Sequence, residues 1–267
     1  MRIFLAEWRK LKRPAFFFGT MGSVIFVTGL VTSLLFLLID AKTGNADRGN
    51  RITREMLQLS DGFTIGFNSS NGLLGLVALS VFAAQTAQEY TYGTLRNLLV
   101  RQPRRIRLLI GKYFSMIAFA LLSVIVSAAT AIGLAVALSG RAKVNTDNWF
   151  TNDGYSAFGN SFANVLISTI GYGTIGMLLG LIFRSPISSI SIGTVYILVV
   201  ESILSIAWKP ISNWMPGNLL SVVATGGSPI GVSDVPSYSQ ALLRIGLYLI
   251  GAALVTATLF KRRDVAN

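Results

Sequence analysis

The 267-residue sequence contains no cysteine and no histidine, and only 13% of its residues are charged. Without cysteine there is no disulfide and no thiol catalysis, and the usual ligand sets of zinc, haem and iron–sulfur centres are missing too. A soluble domain normally carries about 25% charged residues. Because charge is so scarce and 52% of the residues are hydrophobic, we expect most of the surface to face lipid.

The hydrophobic residues are gathered into six long runs. A helix that crosses a membrane needs about 20 apolar residues, and the runs that meet this length lie near 15–39, 68–88, 108–138, 158–183, 187–208 and 241–260. The predicted fold class is therefore an all-α integral membrane protein with a six-helix transmembrane bundle.

Enzymatic activity is not expected of this chain. No phosphate-binding loop of the form G-x-x-x-x-G-K-[ST] occurs, since Gly111-Lys112 lacks the upstream glycine and is followed by Tyr113. An intramembrane enzyme would need paired acids or a nucleophile with a base, and Glu201 is the single acid within the six runs. We therefore assign no catalytic residue, no metal site and no cofactor to this chain.

The basic residues are distributed unevenly around the six runs. With the N-terminus inside, 15 of the 23 basic residues and only three acids fall on the inner side. The positive-inside rule then predicts that both termini are cytoplasmic. Orientation in a membrane explains the net charge of +12 better than binding to nucleic acid, which we do not expect as a partner.

Two segments beside the runs predict further helices. In residues 1–13 an apolar stripe at i, i+4 and i+7 is surrounded by basic residues, which predicts an interfacial helix with its stripe in the acyl boundary; a plain positively charged flank is the alternative. The stripe consists of Phe4, Trp8 and Leu11. Residues 209–240 mix apolar patches with prolines and glycines, which favours short re-entrant helices in the outer leaflet. Residues 40–67 and 139–157 are expected to be polar outer connections.

Residues 89–105, between the second and third runs, form an unusually elaborate polar connection. Gly93 frees the backbone to end the incoming helix, and Thr94 can cap a new one. Three leucines at i, i+3 and i+4 then give a narrow apolar face, and a proline ends it: Leu95, Leu98, Leu99 and Pro103. So short a helix is marginal in water. It needs either the groove of a partner protein or an anionic lipid surface, which the neighbouring arginines also favour.

This segment reads E-x-x-x-G-T-L-R-x-L-L, then P-x-R, then G-K, and it resembles the cytoplasmic loop of ABC-2-type transporter permeases. The residues that carry the resemblance are Glu89, Gly93, Thr94, Leu95, Arg96, Leu98, Leu99, Pro103, Arg105, Gly111 and Lys112. In that family such a stretch ends the second span and opens the third. The resemblance implies that Glu89 and the residues up to Arg105 lie at or beside a coupling helix.

The resemblance also implies an architecture and a function for the whole chain. Residues 1–267 would form a single transmembrane domain, with an elbow helix at 1–13, the coupling loop at 89–105 and a re-entrant segment at 209–240. The implied protein is the permease subunit of an ATP-driven exporter in a prokaryotic inner membrane, moving an unidentified amphipathic substrate. A separate cytoplasmic subunit would bind ATP and Mg, and a second permease, identical or a sibling, would complete the route. The alternative is a non-transporting immunity or sensor protein on the same scaffold.

Placing the ionisable side chain of Glu201 within a membrane span costs free energy, so Glu201 is expected to face a cavity or a partner. Arg244, near the start of the sixth run, lies at a similar depth. One interpretation is a translocation path or gate, to which Tyr196 and Ser205 would also belong. The other is an ion pair between Glu201 and Arg244 that fixes spans five and six.

The fourth run contains the spacing Gly176-x-x-x-Gly180. Small residues at this spacing allow two helices to approach closely in a membrane. Because the pattern is common in transmembrane helices, we predict tight packing within the chain rather than a specific dimer.

Overall fold

A computed structural model describes residues 2–39, 52–94, 105–227, 229 and 235–262, and all regular structure in these ranges is helical. The first half contains α1 (Arg2–Leu11), α2 (Pro14–Leu37), α3 (Arg54–Gln58), a 3-10 turn (Gly62–Thr64), α4 (Ile65–Ser69) and α5 (Asn71–Thr91). The second half contains α6 (Arg105–Ser139), α7 (Asn152–Phe183), α8 (Pro186–Ala207), α9 (Lys209–Ser212), α10 (Pro216–Ala224) and α11 (Tyr238–Arg262).

Local sequence signals account for several of these boundaries. Pro14 occupies the first turn of α2, where its missing N–H costs no helical hydrogen bond. The Thr151 side chain accepts the N–H of Gly154 and starts α7. Arg184 ends α7 in a left-handed conformation with φ 53°, and Ser185 then caps α8. The turn between α7 and α8 is therefore very short, and the two helices are antiparallel neighbours.

Five helices are long and apolar enough to cross a membrane: Pro14–Leu37, Ile106–Ser139, Asn152–Phe183, Pro186–Ala207 and Tyr238–Leu259. A sixth candidate is the pair Gly62–Ser69 and Asn71–Thr91, whose two parts are bent by 41°. The chain is thus a helical membrane protein. The second predicted span starts earlier than expected, because the 3-10 turn and α4 continue it past the bend.

Helices α5 and α7 form the most extensive helix contact among the described elements. A Cβ added to Gly176 would lie 2.2 Å from the carbonyl oxygen of Leu79, and one added to Gly180 would lie 2.8 Å from that of Ala83. The two glycines of α7 thus rest directly on the backbone of α5. The prediction of tight packing within the chain is confirmed.

The bundle has two distinct ends, which we call the α1 end and the Trp149 end. At the Trp149 end, the side chains of Phe36, Leu57, Phe63 and Trp149 share a buried core, and the Trp149 indole N–H donates to the Leu57 carbonyl oxygen over 2.7 Å. The expectation that residues 40–67 and 139–157 are merely polar connections is wrong for this part of them. A few large apolar side chains in a polar segment are enough to form a small core.

The N-terminal segment is helical, and part of its apolar stripe lies against α6. Leu11 is 1% exposed, and the ring of Trp8 meets the edge of Phe119 on α6 with the centroids 6.4 Å apart. Ile3 packs where α6 has Gly111, since a Cβ there would be 2.6 Å from the Ile3 Cγ2 atom. The predicted burial in lipid is therefore wrong for Leu11, which packs in the core with α6, whereas Phe4 and Trp8 are half-buried and their burial in lipid stays a prediction.

Replacing Gly176 with alanine should separate α5 from α7. The new Cβ would strike backbone rather than a flexible side chain, and overpacking of this kind costs roughly 1–3 kcal/mol. We expect a lower melting midpoint of the purified protein in detergent. Gly251→Ala on α11 is the matched control, because its Cβ meets nothing within 4 Å; a midpoint for Gly176→Ala as high as that of the control would contradict the close contact.

Candidate functional site

Four charged side chains from three helices meet at the α1 end. Glu7 and Lys10 come from α1, Glu89 from α5 and Lys112 from α6. The Lys10 ammonium lies 2.6 Å from Glu7 Oε1 and 2.8 Å from Glu89 Oε1. The Lys112 ammonium lies 2.7 Å from Glu89 Oε1 and 3.1 Å from Glu7 Oε2. We call these four residues the ion cluster.

Most of the ion cluster is removed from solvent. Glu7, Glu89 and Lys112 are 4%, 6% and 4% exposed, whereas the side chain of Lys10 keeps 31% of its surface. Lys112 completes its third hydrogen bond with the carbonyl oxygen of Gln85, at 2.9 Å. Buried charges are tolerated when they are paired and hydrogen-bonded, and two carboxylates against two ammonium groups make the cluster neutral.

The ion cluster also shifts the protonation of its α1 members. Burial alone would raise the pKa of Glu7, but the charges of Lys112 and Lys10 outweigh it and hold that pKa below its ordinary value of 4.5. Burial alone would lower the pKa of Lys10, but Glu89 and Glu7 raise it above the ordinary value of 10.5. Glu7 and Lys10 therefore carry charge at neutral pH in mutually stabilising positions.

The last turn of α5 is fixed on its other side as well. The Arg184 guanidinium lies over the Tyr90 ring, 5.5 Å from its centroid, and the Thr91 hydroxyl donates to the Arg184 carbonyl oxygen over 3.3 Å. Tyr92 then turns outward with 73% of its surface exposed. Gly93 follows with φ 64°, a left-handed conformation that favours glycine.

The structure describes only some of the predicted coupling residues. Glu89 lies inside helix α5 rather than in a connection, and Gly93 ends the helical path as expected. Thr94 is exposed. Arg105 is the first residue of α6, and its side chain is outside what the structure describes. The remaining predicted residues fall outside the described ranges: Leu95, Arg96, Leu98, Leu99 and Pro103.

At the opposite end of α8, Glu201 binds the start of the short helix α10. Its Oε1 accepts the N–H of Gly217 at 3.0 Å, and its Oε2 accepts the N–H of Asn218 at 3.1 Å. These are free N–H groups of the first helical turn, where the helix dipole also favours negative charge. Gly217 leaves the space for the carboxylate, since a Cβ there would be 2.5 Å from Oε2.

The predicted ion pair between Glu201 and Arg244 is wrong. Arg244 Nη1 instead donates to the Asn213 carbonyl oxygen at 2.7 Å, and its guanidinium lies 4.3 Å from the centroid of the Trp214 ring. Glu201 thus holds the start of α10, and Arg244 holds the turn just before it. The first turn of α10 satisfies Glu201 without a cation, which is why the pair is not needed.

The other predicted path residues lie near this turn. Ser205 accepts a hydrogen bond from the Asn218 side chain at 2.9 Å. Tyr196 is 37% exposed and begins the π-helical stretch Tyr196–Val200, which ends directly before Glu201. Helices α9 and α10 are the short helical pieces expected in residues 209–240. None of these residues lines the open groove described next.

A groove of about 440 Å³ runs between α2, α5 and α8. Its wall is mostly apolar with three hydroxyl groups, from Thr20, Ser23 and Ser80. Such a lining suits an amphipathic molecule more than a strongly charged one. Within the described ranges, no group of three or more acidic or other ligand side chains is arranged to hold a metal ion.

Sequence reasoning missed three of the four members of the ion cluster as a functional set. Lys112 stands out only as one of the residues that carry the resemblance, Lys10 is one of the basic residues around the apolar stripe, and Glu7 has no predicted role beyond the charge count. A signal was present, because Glu7 is the single acid in a segment with five basic residues, 1–13. It sits three residues before Lys10, which is the spacing of an ion pair on one helix face.

Comparison with known proteins places the chain in a family without an assigned activity. Residues 53–266 match the model of DUF2705, described as a protein of unknown function. The chain belongs to the DUF2705 family. This DUF2705 protein is also similar to the uncharacterized protein YhcI of Bacillus subtilis (strain 168), with 24% identity over 209 residues, which is 73% of the chain and 66% of YhcI. The match thus spans just under two thirds of that relative.

Replacing Glu7 with glutamine should lower the thermal stability of the DUF2705 protein by an amount that depends on pH. The change leaves the two lysines sharing one carboxylate, and breaking a buried ion pair costs about 3 kcal/mol or more. Because the folded pKa of Glu7 is depressed, its contribution is present above 4.5 and is lost as the pH falls through the folded value. The gap in melting midpoint between wild type and Glu7→Gln should therefore be full at neutral pH and close in acid. Glu55→Gln, an exposed acid at the Trp149 end, should show no gap, and a pH-independent gap for Glu7→Gln would contradict the cluster.

Replacing Glu201 with glutamine should loosen the start of α10. One carboxylate oxygen becomes an N–H donor facing another donor, and loss of a helix cap costs about 1 kcal/mol or more. The readout is maleimide labelling of Met215→Cys, a position that is 4% exposed in the wild type and unique because the chain has no native cysteine. Labelling should accelerate in Glu201→Gln. It should stay slow in the control Ser202→Ala, whose hydroxyl bonds only within its own helix; equal rates in both would overturn the cap.

Proposed function

We propose that this chain is the permease subunit of an ATP-driven exporter, an ABC-2-type permease that couples to a separate ATPase through residues 89–105. The observation that carries the proposal is the set of contacts made by the last turn of α5, which we call the root of that segment. The last turn of α5 is fixed to α1 and α6 by the ion cluster and to the α7–α8 turn by Arg184. A helix end held on several sides can pass on a force that is applied to the segment after it.

The proposed architecture has six membrane crossings, counting the bent pair of α4 and α5 as one. Helix α1 serves as the elbow at the cytoplasmic surface, and both termini are cytoplasmic. Basic residues that are exposed at the α1 end support this orientation: Arg9, Lys12, Arg13, Arg107 and Arg184. Exposed acids at the Trp149 end fit the outer side: Asp61, Asp147 and Asp153. The location that follows is a prokaryotic inner membrane.

The proposed mechanism is a shift between two packed states of the bundle. Two permease subunits, identical or siblings, share a route, and a cytoplasmic ATP-binding subunit supplies ATP and Mg. Nucleotide binding there favours one state, and the fixed root of the loop carries that bias into α1, α5 and α6. No residue of this chain hydrolyses ATP.

The route is proposed to begin at the groove between α2, α5 and α8 and to be closed on the outer side by α9 and α10. The hydroxyl groups in an apolar wall fit an amphipathic drug, peptide or lipid-like substrate. Glu201 and Arg244 act as the gate by holding the turn before α10, and Tyr196 and Ser205 lie beside them.

Changing Leu95 and Leu98 together to aspartate should abolish binding of the ATPase. Two charges on the apolar face of the proposed coupling helix leave it unable to pack in a partner's groove. The measurement is purification of the tagged chain from native membranes, with detection of an ATP-binding protein by mass spectrometry and ATP hydrolysis.

The matched control for this experiment is Leu59→Asp. Leu59 is 57% exposed and lies at the Trp149 end, so this change should leave partner binding intact. Absence of an ATP-binding protein with the wild type would contradict the proposal. A bound ATPase whose activity in liposomes responds to no amphipathic substrate would favour an immunity or sensor role instead.

A further inference from the structure

Glu89 is the first residue of the proposed coupling segment, and it is one of the most deeply buried charges in the described part of the chain. We propose that Glu89 is a positioning residue that acts within this chain, and that the contact surface for the ATPase begins at Tyr92. The inference rests on the proposed function only for the identity of the partner. The role of Glu89 in holding the loop root follows from the ion cluster itself.

Burial leaves Glu89 little access for an outside partner. Its Oε1 atom already receives Lys10 at 2.8 Å and Lys112 at 2.7 Å, and the residue is 6% exposed. Lys112 has in turn committed its three N–H donors to Glu89, to Glu7 and to the Gln85 carbonyl oxygen. A partner that reached Glu89 would have to dismantle the cluster first, and uncompensated buried charge strongly opposes that.

The cluster divides into two pairs that are each neutral. Glu7 and Lys10 are paired within α1, three residues apart, while Glu89 and Lys112 join α5 to α6. The bonds from Lys10 to Glu89 and from Lys112 to Glu7 then tie α1 to the other two helices. Removing one charge leaves an odd buried charge, and reversing only the α5–α6 pair gives Lys10 an ammonium neighbour and Glu7 a carboxylate neighbour. Reversing all four charges restores every opposite-charge contact. This difference makes the inference testable.

The side chains just after Glu89 have the opposite character. Tyr92 is 73% exposed, and Gly93 and Thr94 are exposed too. One helical turn therefore separates a buried charged anchor from an aromatic side chain that is open to a partner. Large aromatic side chains at such positions commonly supply much of the energy of a protein interface.

The test uses charge reversal in a Leu11→Cys background. Leu11 lies on the buried face of α1 and is 1% exposed. Because the chain has no native cysteine, maleimide labelling of this position reports whether α1 stays packed on the bundle. Glu89→Lys should raise the labelling rate by more than about tenfold, because it breaks a buried pair, and it should abolish co-purification of the ATPase. Reversing all four charges together, with Glu7→Lys, Lys10→Glu, Glu89→Lys and Lys112→Glu, restores every opposite-charge contact and should return both readouts close to those of the background.

Tyr92→Ala is the matched control for the contact surface, and it should lower ATPase co-purification while labelling stays slow. Unchanged labelling in Glu89→Lys would overturn the inference. So would a reversal of all four charges that restores protection but not ATPase binding, since Glu89 would then touch the partner directly. If the wild type binds no ATPase, the proposed function fails, while the labelling readout still decides whether Glu89 anchors α1.

A double variant, which introduces no charged side chain, covers the case in which charge reversal prevents folding. Glu89→Gln combined with Lys112→Gln removes the α5–α6 pair but leaves the neutral pair of Glu7 and Lys10. The double change should label more slowly than either single change, because no odd charge remains. Faster labelling of the double change than of both single changes would contradict the positioning role.

Discussion

The close contact of α5 with α7 is the constraint on which the rest of the structure depends. Lipid supplies no hydrophobic force between helices, so close backbone approach and polar contacts must hold a membrane bundle together. Gly176 and Gly180 provide that approach along the backbone of α5. Because α5 is fixed in this way, the bent segment before it can join the core at the Trp149 end. The last turn of α5 meanwhile supports the ion cluster at the α1 end.

The ion cluster, Glu201 and Arg244 are satisfied by the chain's own groups, in two different ways. The ion cluster balances two acids with two lysines and ties three helices together. Glu201 uses the free N–H groups at the start of α10, and Arg244 uses a carbonyl oxygen and an aromatic ring of the preceding turn. Because unsatisfied polar groups are costly within a bilayer, these contacts fix the helix ends while the outer faces of α8 and α11 remain apolar.

Hydrophobic run length predicted the helices well, because lipid thickness sets a length that sequence shows directly. It could not show the bend before Asn71 or the core around Trp149, since these depend on contacts between segments far apart in sequence. The glycine spacing in α7 was a sound predictor. The partners of charged residues could not be predicted in the same way. Arg244 lies at the right depth for Glu201, but Glu201 binds backbone N–H groups of α10, and a search for partners among side chains does not consider these. The central part of the predicted coupling loop, 95–104, lies outside the described residues.

In the proposed coupling, Tyr92 at the loop root contacts the partner, and Glu89, three residues before it, is the buried anchor. A photo-crosslinking amino acid at Tyr92, 73% exposed in the free chain, tests this most directly in native membranes. The account predicts a covalent adduct with an ATP-binding protein on the cytoplasmic side. Adducts with lipid alone, or labelling of this position by impermeant reagents added outside intact cells, would contradict it.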